Sequence, residues 1–236
     1  MLDPTLSIPS CAVIIPALNE AGNIRQLVEE VRRTVAVQVI VVDNGSTDAT
    51  AAEARAGDAQ VVSESRRGYG YACAAGFQAA VALEAEIGAF LDGDFSFLPA
   101  VLPAVLAPVL EERADLSLGS RWLGQIAPGA MPPQQRFGNW LAARLMNRLY
   151  GLRITDLGPY RAIRTDLLLR LDMQEMTYGW PAEMLVKAAR RDARIVEVPV
   201  SYHSRRAGKS KVSGTLRGTV LAARYILGVT LRYARQ

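Results

Sequence analysis

The sequence predicts an α/β fold with a mostly parallel central sheet and helices on both of its faces. Short apolar runs rich in β-branched residues alternate with segments of helical spacing, an order typical of parallel strands joined by crossover helices. Each of the first five apolar runs ends in a polar segment. The 236 residues, half of them hydrophobic, suit one domain with an ordinary core.

The first half of the chain contains the regular part of this pattern. The predicted strands cover residues 11–15, 37–42, 59–62, 89–91 and 115–119, of which 37–42 is nearly all β-branched. The predicted helices cover residues 21–35, a segment that begins near Thr47, the alanine-rich residues 70–84, and residues 98–113.

The second half is less regular. A loop rich in Gly and Pro is expected at 124–133, and a basic loop rich in Gly and Ser at 204–214. The predicted helices cover 136–150, 180–191 and 215–235, with a strand at 195–200. We therefore expect a catalytic domain over residues 1–203, followed by a basic loop and an amphipathic helix over residues 204–236.

Several features of the sequence bear on where in the cell the protein is located. The first ten residues lack the basic and apolar regions of a signal peptide, and no apolar run reaches the roughly 18 residues of a membrane span. Cys11 and Cys73 lie in apolar surroundings without metal-ligand spacing, which favours reduced core residues. These features predict a cytoplasmic protein.

The basic residues are concentrated in the tail. Eight of the 27 lie beyond Glu197, the last acidic residue, whereas residues 1–197 carry a net charge of −4. This asymmetry predicts an anionic partner for the tail: phosphate, nucleic acid or an acidic membrane surface. Nucleic acid is the poorest match, because the final helix is largely apolar.

The final helix suggests a membrane partner. At about 100° per residue, its arginines fall within roughly 60° of one line on a largely apolar helix; they are Arg217, Arg224, Arg232 and Arg235. Such a stripe suits a peripheral position at the inner face of the membrane, or recruitment by a membrane protein. The alternative is a helix that packs on the domain and keeps its arginines in water.

The stretch FLDGDFSF places two carboxylates at the end of the fourth strand. Asp92 and Asp94 point the same way in extended backbone, and ligands of parallel sheets bind at this strand edge. Two carboxylates this close repel, so one should bind a proton unless a cation lies between them. Oxygen ligands favour Mg²⁺ or Mn²⁺. The alternative is that Asp94 or Ser96 caps the next helix.

The second strand ends in Asp43-Asn-Gly-Ser-Thr-Asp48. A carboxylate at Asp43 can accept hydrogen bonds from a base or a sugar. The small residues after it predict a tight turn into a helix that Ser46 or Thr47 would cap.

Two other classes of enzyme are excluded. Arg67-Gly68-Tyr-Gly70 follows the third strand and has Cys73 in place of the third glycine, so it does not indicate a nicotinamide cofactor. His203 is the only histidine, and no Gly-x-Ser-x-Gly accompanies it, which argues against a Ser-His-Asp hydrolase.

Seven segments occur in an order that resembles the family 2 glycosyltransferases of GT-A fold. They are PALNEAGNI, VVDNGSTDAT, RRGYGYACAAGF, FLDGDFSF, GSRW, DLGPYRAIR and EVPVSYHSRRAGKSKVSG. The nearest branch is the dolichyl- or polyprenyl-phosphate mannose and glucose synthases, and the resemblance runs from about residue 10 to 218. It implies inverting transfer of one sugar from a nucleotide diphosphate sugar, GDP-mannose or UDP-glucose, to a polyprenyl phosphate.

The resemblance also implies roles for the residues that match its motifs. The implied donor-binding residues are Pro16, Asn19, Glu20, Asp43, Arg67, Gly68 and Asp92. Asp94 is implied as the main metal ligand, with Asp92 beside it. Ser96 stands where this branch often has a glutamine as a further ligand. The residues implied to meet phosphates or the acceptor are Arg121, Arg136, Arg205, Arg206, Lys209 and Lys211.

The acceptor decides whether a general base is needed. A phosphate monoester is already a dianion near neutral pH and needs none, whereas a hydroxyl acceptor needs one. The candidate bases are Asp156 and Glu183, with a turn cap and a helix first-turn charge as their structural alternatives. Two other functions stay open: transfer to a soluble phosphorylated or hydroxyl acceptor, and non-catalytic nucleotide-sugar binding or membrane adaptation.

Overall fold

A seven-stranded sheet forms the centre of the computed structural model, which describes residues 10–207 and 216–234, with the backbone alone at 216–220 and 222. The strands are β1 (Cys11–Ala17), β2 (Gln38–Asp43), β3 (Gln60–Ser63), β4 (Ile87–Phe90), β5 (Leu116–Ser120), β6 (Arg161–Arg164) and β7 (Ile195–Pro199). Their order across the sheet is β3-β2-β1-β4-β6-β5-β7. The predicted α/β class and mostly parallel sheet are confirmed.

Helices cover both faces of the sheet. They are α1 (Ile24–Thr34), α2 (Thr50–Ala56), α3 (Tyr69–Ala82), α4 (Leu102–Leu110), α5 (Pro133–Tyr150), α6 (Thr165–Leu171), α7 (Trp180–Ala189) and α8 (Leu216–Ala234). Buried side chains of α1, α2 and α4 pack on one face, and those of α3 and α5 to α8 pack on the other.

The strand directions bring the polar strand ends together. β1 pairs in parallel with β2 and β4, and β6 pairs antiparallel with both β4 and β5. β4 and β5 therefore run in the same direction, and the carboxyl ends of β1, β2, β4 and β5 meet at one edge.

The sequence analysis missed β6 and α6. β6 has four residues, and it begins with Arg161, which is nearly fully buried. Four residues that begin and end with arginine show neither a long apolar run nor a clear alternation, so no sequence pattern marks this strand.

Two predicted helices have different beginnings in the structure. α2 begins at Thr50 rather than near Thr47, and Ser46 and Thr47 do not cap it. The Asp48 carboxylate instead accepts a hydrogen bond from the Thr50 backbone N–H. The helix predicted over 98–113 is divided into a 3₁₀ turn at Pro99–Val101 and α4.

Both cysteines are core residues, as predicted. Cys11 and Cys73 are buried, and burial raises the pKa of the Cys11 thiol to about 11, which keeps it protonated. In the part of the chain that the structure describes, no helix combines the length and apolarity that a membrane crossing requires.

The described part of α8 packs on the domain. Val229 is buried in the core, and the Tyr150 hydroxyl of α5 donates a hydrogen bond to the Thr230 carbonyl. Arg224 and Arg232 are exposed. These contacts match the packing alternative for the final helix. The Arg217 side chain, Arg235, Lys209 and Lys211 lie outside the described residues, and the division at residue 203 stays a prediction.

Candidate functional site

A cleft of about 580 Å³ opens at the strand edge where the polar segments meet. Segments after β1, β2, β3, β4, β5 and β7 form it, and α8 contributes one wall. The predicted site residues that line it are Pro16, Glu20, Arg67, Gly68, Asp92, Asp94, Ser96, Arg121 and Arg205. The described ones that do not line it are Asn19, Asp43, Arg136, Asp156, Glu183 and Arg206.

Asp92 lies at the floor of this cleft. Burial there and the neighbouring charge of Asp94 raise the pKa of Asp92 to about 7. The Tyr69 hydroxyl donates to Asp92 Oδ1 over 3.4 Å, a long and weak contact. This shift agrees with the expectation that two adjacent carboxylates need a proton or a cation between them.

Asp94 faces the cleft beside a guanidinium group. Its Oδ1 accepts a hydrogen bond from the Ser96 backbone N–H at 2.9 Å, and its Oδ2 lies 3.5 Å from Arg205 Nη2. The 3₁₀ turn that follows begins at Pro99 and has no side-chain cap. Helix capping by Asp94 or Ser96 is therefore not what the structure shows.

Arg205 links the carboxylate pair to the first strand. Its Nη2 donates to Oε1 of the buried Glu20 at 2.6 Å. The same segment is held by backbone hydrogen bonds, from Arg206 N–H to the Asp94 carbonyl and from His203 N–H to the Ser96 carbonyl. The Arg206 side chain instead lies over the Phe95 ring, 4.0 Å from its centroid.

Arg121 is held rigidly by Asp156. The guanidinium makes two hydrogen bonds to this carboxylate, Nε to Oδ2 at 2.8 Å and Nη2 to Oδ1 at 2.6 Å. Asp156 Oδ2 also accepts the Arg121 backbone N–H at 2.7 Å, and both side chains are buried. Burial opposes the charge of Arg121, but these bonds outweigh it and raise the pKa of Arg121. In this arrangement Asp156 orients Arg121, and both of its carboxylate oxygens accept hydrogen bonds from that residue.

Glu183 lies away from the cleft and anchors α8. This fully buried carboxylate accepts hydrogen bonds from the Tyr233 hydroxyl at 2.7 Å and from Lys187 Nζ at 2.8 Å. It also accepts backbone N–H groups of Gln174 and Glu175. Burial alone would raise the pKa of Glu183, but the hydrogen bonds from Lys187 and Tyr233 have the larger combined effect. The net pKa is therefore lowered, and the group stays ionised. The geometry favours the structural alternative for this residue.

The loops after β1 and β2 form part of the cleft rim. Asn19 Oδ1 accepts the Thr47 backbone N–H at 2.8 Å, and Asp43 Oδ1 accepts the Ser46 backbone N–H at 2.9 Å. Asn19 and Asp43 thus shape the rim in this structure.

Asn44 lines the cleft, and sequence reasoning did not single it out. Its Nδ2 donates to the Arg66 carbonyl at 2.7 Å, and its Oδ1 accepts the Gly68 N–H at 2.9 Å. These bonds hold the turn before α3. The signal that could have found Asn44 is its position directly after Asp43 in the glycine-containing turn.

The side of the cleft near Arg121 also differs from expectation. Arg136 donates to the Met131 carbonyl at 3.2 Å, and its neighbour Gln135 is the residue that lines the cleft. Tyr202 also lines the cleft, with its ring centroid 5.1 Å from the Arg121 guanidinium carbon. The α8 wall consists of Leu221, Tyr225 and Ile226. Sequence spacing does not connect these residues to the strand ends, because they are far apart in the chain.

The carboxylate pair fits a divalent cation. Within residues 10–207 and 216–234, no cluster of three or more His, Cys, Asp or Glu side chains is placed to hold a metal. Mg²⁺ and similar ions usually take one or two carboxylates and complete their shell with waters and substrate phosphates. Asp92 and Asp94 meet that requirement. The raised pKa of Asp92 and the proximity of Arg205 to Asp94 indicate that a positive charge stabilises the ionised pair.

Comparison with known proteins agrees with this geometry. The family model for glycosyl transferase family 2 matches residues 12–171. An uncharacterised glycosyltransferase of Mycobacterium tuberculosis is 38% identical over 210 residues, covering 89% of this chain and 93% of the relative. The undecaprenyl-phosphate mannosyltransferase of Micrococcus luteus is 33% identical over 219 residues, covering 87% of this chain and 88% of the relative.

Solved structures show the same fold. The glucosyl-3-phosphoglycerate synthase of Mycobacterium tuberculosis, in complex with Mn²⁺, UDP-glucose and phosphoglyceric acid, superposes with a TM-score of 0.76. It is 24% identical, and the match covers 99% of this chain and 86% of the synthase. At that identity the likeness concerns the architecture, which is of the GT-A type.

Proposed function

This chain belongs to glycosyl transferase family 2, and we propose that it transfers a hexose, mannose or glucose, from a nucleotide diphosphate sugar to a polyprenyl phosphate. One observation carries the proposal: a single cleft combines the Asp92–Asp94 pair, the guanidinium groups of Arg121 and Arg205, and an apolar wall. The proposed donor is GDP-mannose or UDP-glucose. The name of the Micrococcus luteus relative, an undecaprenyl-phosphate mannosyltransferase, supports this acceptor class.

The donor would lie against the loops after β1, β2 and β4. Pro16, Glu20 and Asn44 would contact the nucleotide, with Asn19 and Asp43 shaping the rim. A divalent cation held by Asp92 and Asp94, Mg²⁺ or Mn²⁺, would supply positive charge that stabilises the leaving diphosphate. Ser96, buried beside Asp94, is the remaining proposed ligand.

The proposed reaction is a single displacement at the anomeric carbon. An oxygen of the acceptor phosphate forms the new bond to this carbon while the bond to the diphosphate oxygen breaks. The electron pair leaves with the nucleoside diphosphate, and the configuration inverts. Arg121 and Arg205 would bind the phosphates, since guanidinium groups pair well with phosphate oxygens. Arg136, Arg206, Lys209 and Lys211 stay proposed phosphate ligands.

The charge pattern supports a phosphate acceptor over a hydroxyl. The carboxylates that line the described cleft are Glu20, Asp92 and Asp94, and Glu20 is paired with Arg205. Asp156 and Glu183 are engaged by buried partners. With Asp92 and Asp94 assigned to the cation, a hydroxyl would lack a free base among these carboxylates, whereas a phosphate dianion carries no proton that must be removed.

The α8 wall supports a lipid rather than a small soluble acceptor. Leu221, Tyr225 and Ile226 form an apolar side of the same cleft that holds the charged groups. A prenyl chain would cover this wall, whereas a small phosphorylated metabolite would leave it in contact with water.

A transfer panel tests the proposal. Purified protein with Mn²⁺ is given GDP-mannose, UDP-glucose or UDP-N-acetylglucosamine, each with and without a short polyprenyl phosphate. We expect turnover of a single hexose donor that requires the lipid phosphate. Turnover that ignores the lipid would contradict the acceptor and favour a soluble one. Nucleotide binding without any turnover would favour the non-catalytic alternative.

A further inference from the structure

A patch of exposed aromatic and aliphatic side chains lies beside the cleft, on the outer side of α5. Phe137 is 62% exposed and Trp140 51% exposed. We call this patch the Trp140 surface; its members are Trp122, Leu123, Phe137, Trp140 and Leu141, with Arg136, Arg144 and Arg148. The helix buries its opposite side through Ala142, Ala143 and Met146, so the patch faces away from the core of the domain.

Contacts within the patch join it into one surface. The Phe137 and Trp140 rings lie 5.9 Å apart between centroids. The Arg144 guanidinium carbon lies 5.8 Å from the Trp140 ring centroid, and that of Arg136 lies 5.9 Å from the Trp122 ring centroid. The loop after β5 and the helix α5 therefore present aromatic rings and guanidinium groups side by side.

The segment that carries the patch has one sign of charge. Residues 116–155 contain five arginines and no Asp, Glu or Lys. A partner surface must therefore be apolar in part and anionic in part. A second copy of this chain is a poor fit, because a two-fold contact would bring the same arginines face to face.

We propose that the Trp140 surface docks on an anionic phospholipid bilayer. Trp and Phe suit the membrane interface because their rings are large and apolar while the indole N–H stays hydrated. Arginines beside them bind anionic headgroups, and each contributes about fivefold to binding near such a surface. The lipid source is the bilayer itself and not the acceptor lipid in the cleft, so the proposal does not rest on the acceptor proposed above.

The position of the surface gives docking a consequence for the cleft. Trp122 directly follows Arg121, and Gln135 in the first turn of α5 lines the cleft. A bilayer in contact with Trp140 would therefore hold the cleft mouth beside the headgroup layer. A phosphate carried on a membrane lipid would then reach Arg121 without leaving that layer.

Vesicle binding tests the docking surface without any substrate. The full chain is sedimented with phosphatidylcholine vesicles that contain or lack phosphatidylglycerol. We expect binding that requires the anionic lipid and weakens with salt. F137A/W140A should weaken it by at least about tenfold, and R144Q by about fivefold.

Matched controls come from other faces of the same chain. Leu169 on α6 is exposed like Trp140, and Arg55 on α2 is exposed like Arg144. L169A and R55Q should bind vesicles as the unmodified chain does, and circular dichroism should show all variants folded.

Three results would overturn the proposal. The first is no binding to anionic vesicles. The second is unchanged binding by F137A/W140A, which would move attachment to the tail. The third is a dimer in sedimentation velocity that F137A/W140A dissociates, which would make the patch a protein interface. Donor turnover in the vesicle-free panel is independent of all three, so failure of this proposal and failure of the proposed function are distinguishable.

Discussion

At the scale of single residues, the cleft depends on cations that buried carboxylates hold in place. Asp156 binds Arg121, and Glu20 binds Arg205. Both carboxylates are nearly inaccessible to solvent, so the charge of each is stabilised by its arginine rather than by water. Substitution of one member should therefore have effects that an exposed pair would not show.

Asp156 should matter for stability as well as activity. D156A leaves the buried Arg121 charge without its carboxylate partner, which costs about 3–5 kcal/mol in the free energy of unfolding. Denaturant titration measures this loss. D166A removes the exposed partner of Arg164 and Arg170 and should cost about 1 kcal/mol or less. Full stability in D156N with abolished turnover would instead indicate a general base.

Asp94 should matter for activity and not for the fold. It is partly exposed, and its described side-chain contacts are with the Ser96 N–H and Arg205. D94A should reduce turnover by about a thousandfold, because the leaving diphosphate loses its cation. Calorimetry with Mn²⁺ and nucleotide should show weakened metal binding at an unchanged melting temperature. An active D94A variant would remove the metal role.

At the scale of elements, the helix α3 packs on the sheet through a glycine at a close approach. Gly76 of α3 faces Ile14 of β1 and Val42 of β2. A Cβ at this position would lie 2.8 Å from Val42 Cγ2 and closer still to Ile14 Cγ2. The tight seating of α3 places Gly68 and Tyr69, at its beginning, on the cleft.

Two glycine-to-alanine substitutions in helices should have opposite signs. G76A forces α3 away from the sheet and should lower the free energy of unfolding by about 1–3 kcal/mol. A Cβ at Gly138 of α5 would point into open space, so G138A should raise stability by up to about 1 kcal/mol. Denaturant titration of both variants measures these changes. A G76A variant as stable as the unmodified chain would mean that α3 can shift without lowering the free energy of unfolding.

The turn before α3 should respond to acid through Glu64. Its carboxylate accepts hydrogen bonds from the Arg66 side chain and backbone, which lower the pKa of Glu64 from 4.5 to about 2. The stability it contributes is therefore complete above pH 4.5 and disappears as pH falls toward 2. The difference in unfolding free energy between the unmodified chain and E64Q should shrink across that window. A constant difference would contradict the assignment.

At the scale of the whole molecule, one cleft joins segments from both ends of the chain. Pro16 lies at the end of β1 and Glu20 just after it, whereas Tyr202 and Arg205 follow β7 at the far end of the sheet. A ligand that contacts both groups links the two ends of the sequence. Binding should therefore stabilise them together.

Nucleotide and metal should act cooperatively on the melting temperature. Mn²⁺ or UDP or GDP alone should give a small rise, and the pair a larger one, because the diphosphate completes the coordination that two carboxylates begin. Saturation at a hundredfold excess over the dissociation constant corresponds to about 2.7 kcal/mol. Hydrogen exchange should slow at both 16–20 and 202–206. Shifts that merely add, or protection at 16–20 alone, would argue against the joint site.

Much of this protein is determined by its sequence alone. The order of strands and helices along the chain follows from local periodicity. Because ligands of parallel sheets bind at the carboxyl ends of the strands, the polar segments that end the strands also indicate where the binding site lies. The Asp92–Asp94 pair and the family resemblance were likewise visible in short stretches. These features are local, so they need no knowledge of which distant residues meet.

The tertiary structure alone decided how distant residues meet. It inserted β6 antiparallel between β4 and β5, paired Arg121 with Asp156 and Arg205 with Glu20, and placed α8 along the cleft. It also places the Tyr233 hydroxyl in hydrogen-bond contact with Glu183 and leaves Trp140 exposed. The physical reason is that a charged or aromatic side chain has no fixed partner in the sequence; burial and chain closure select one only when the whole fold is assembled.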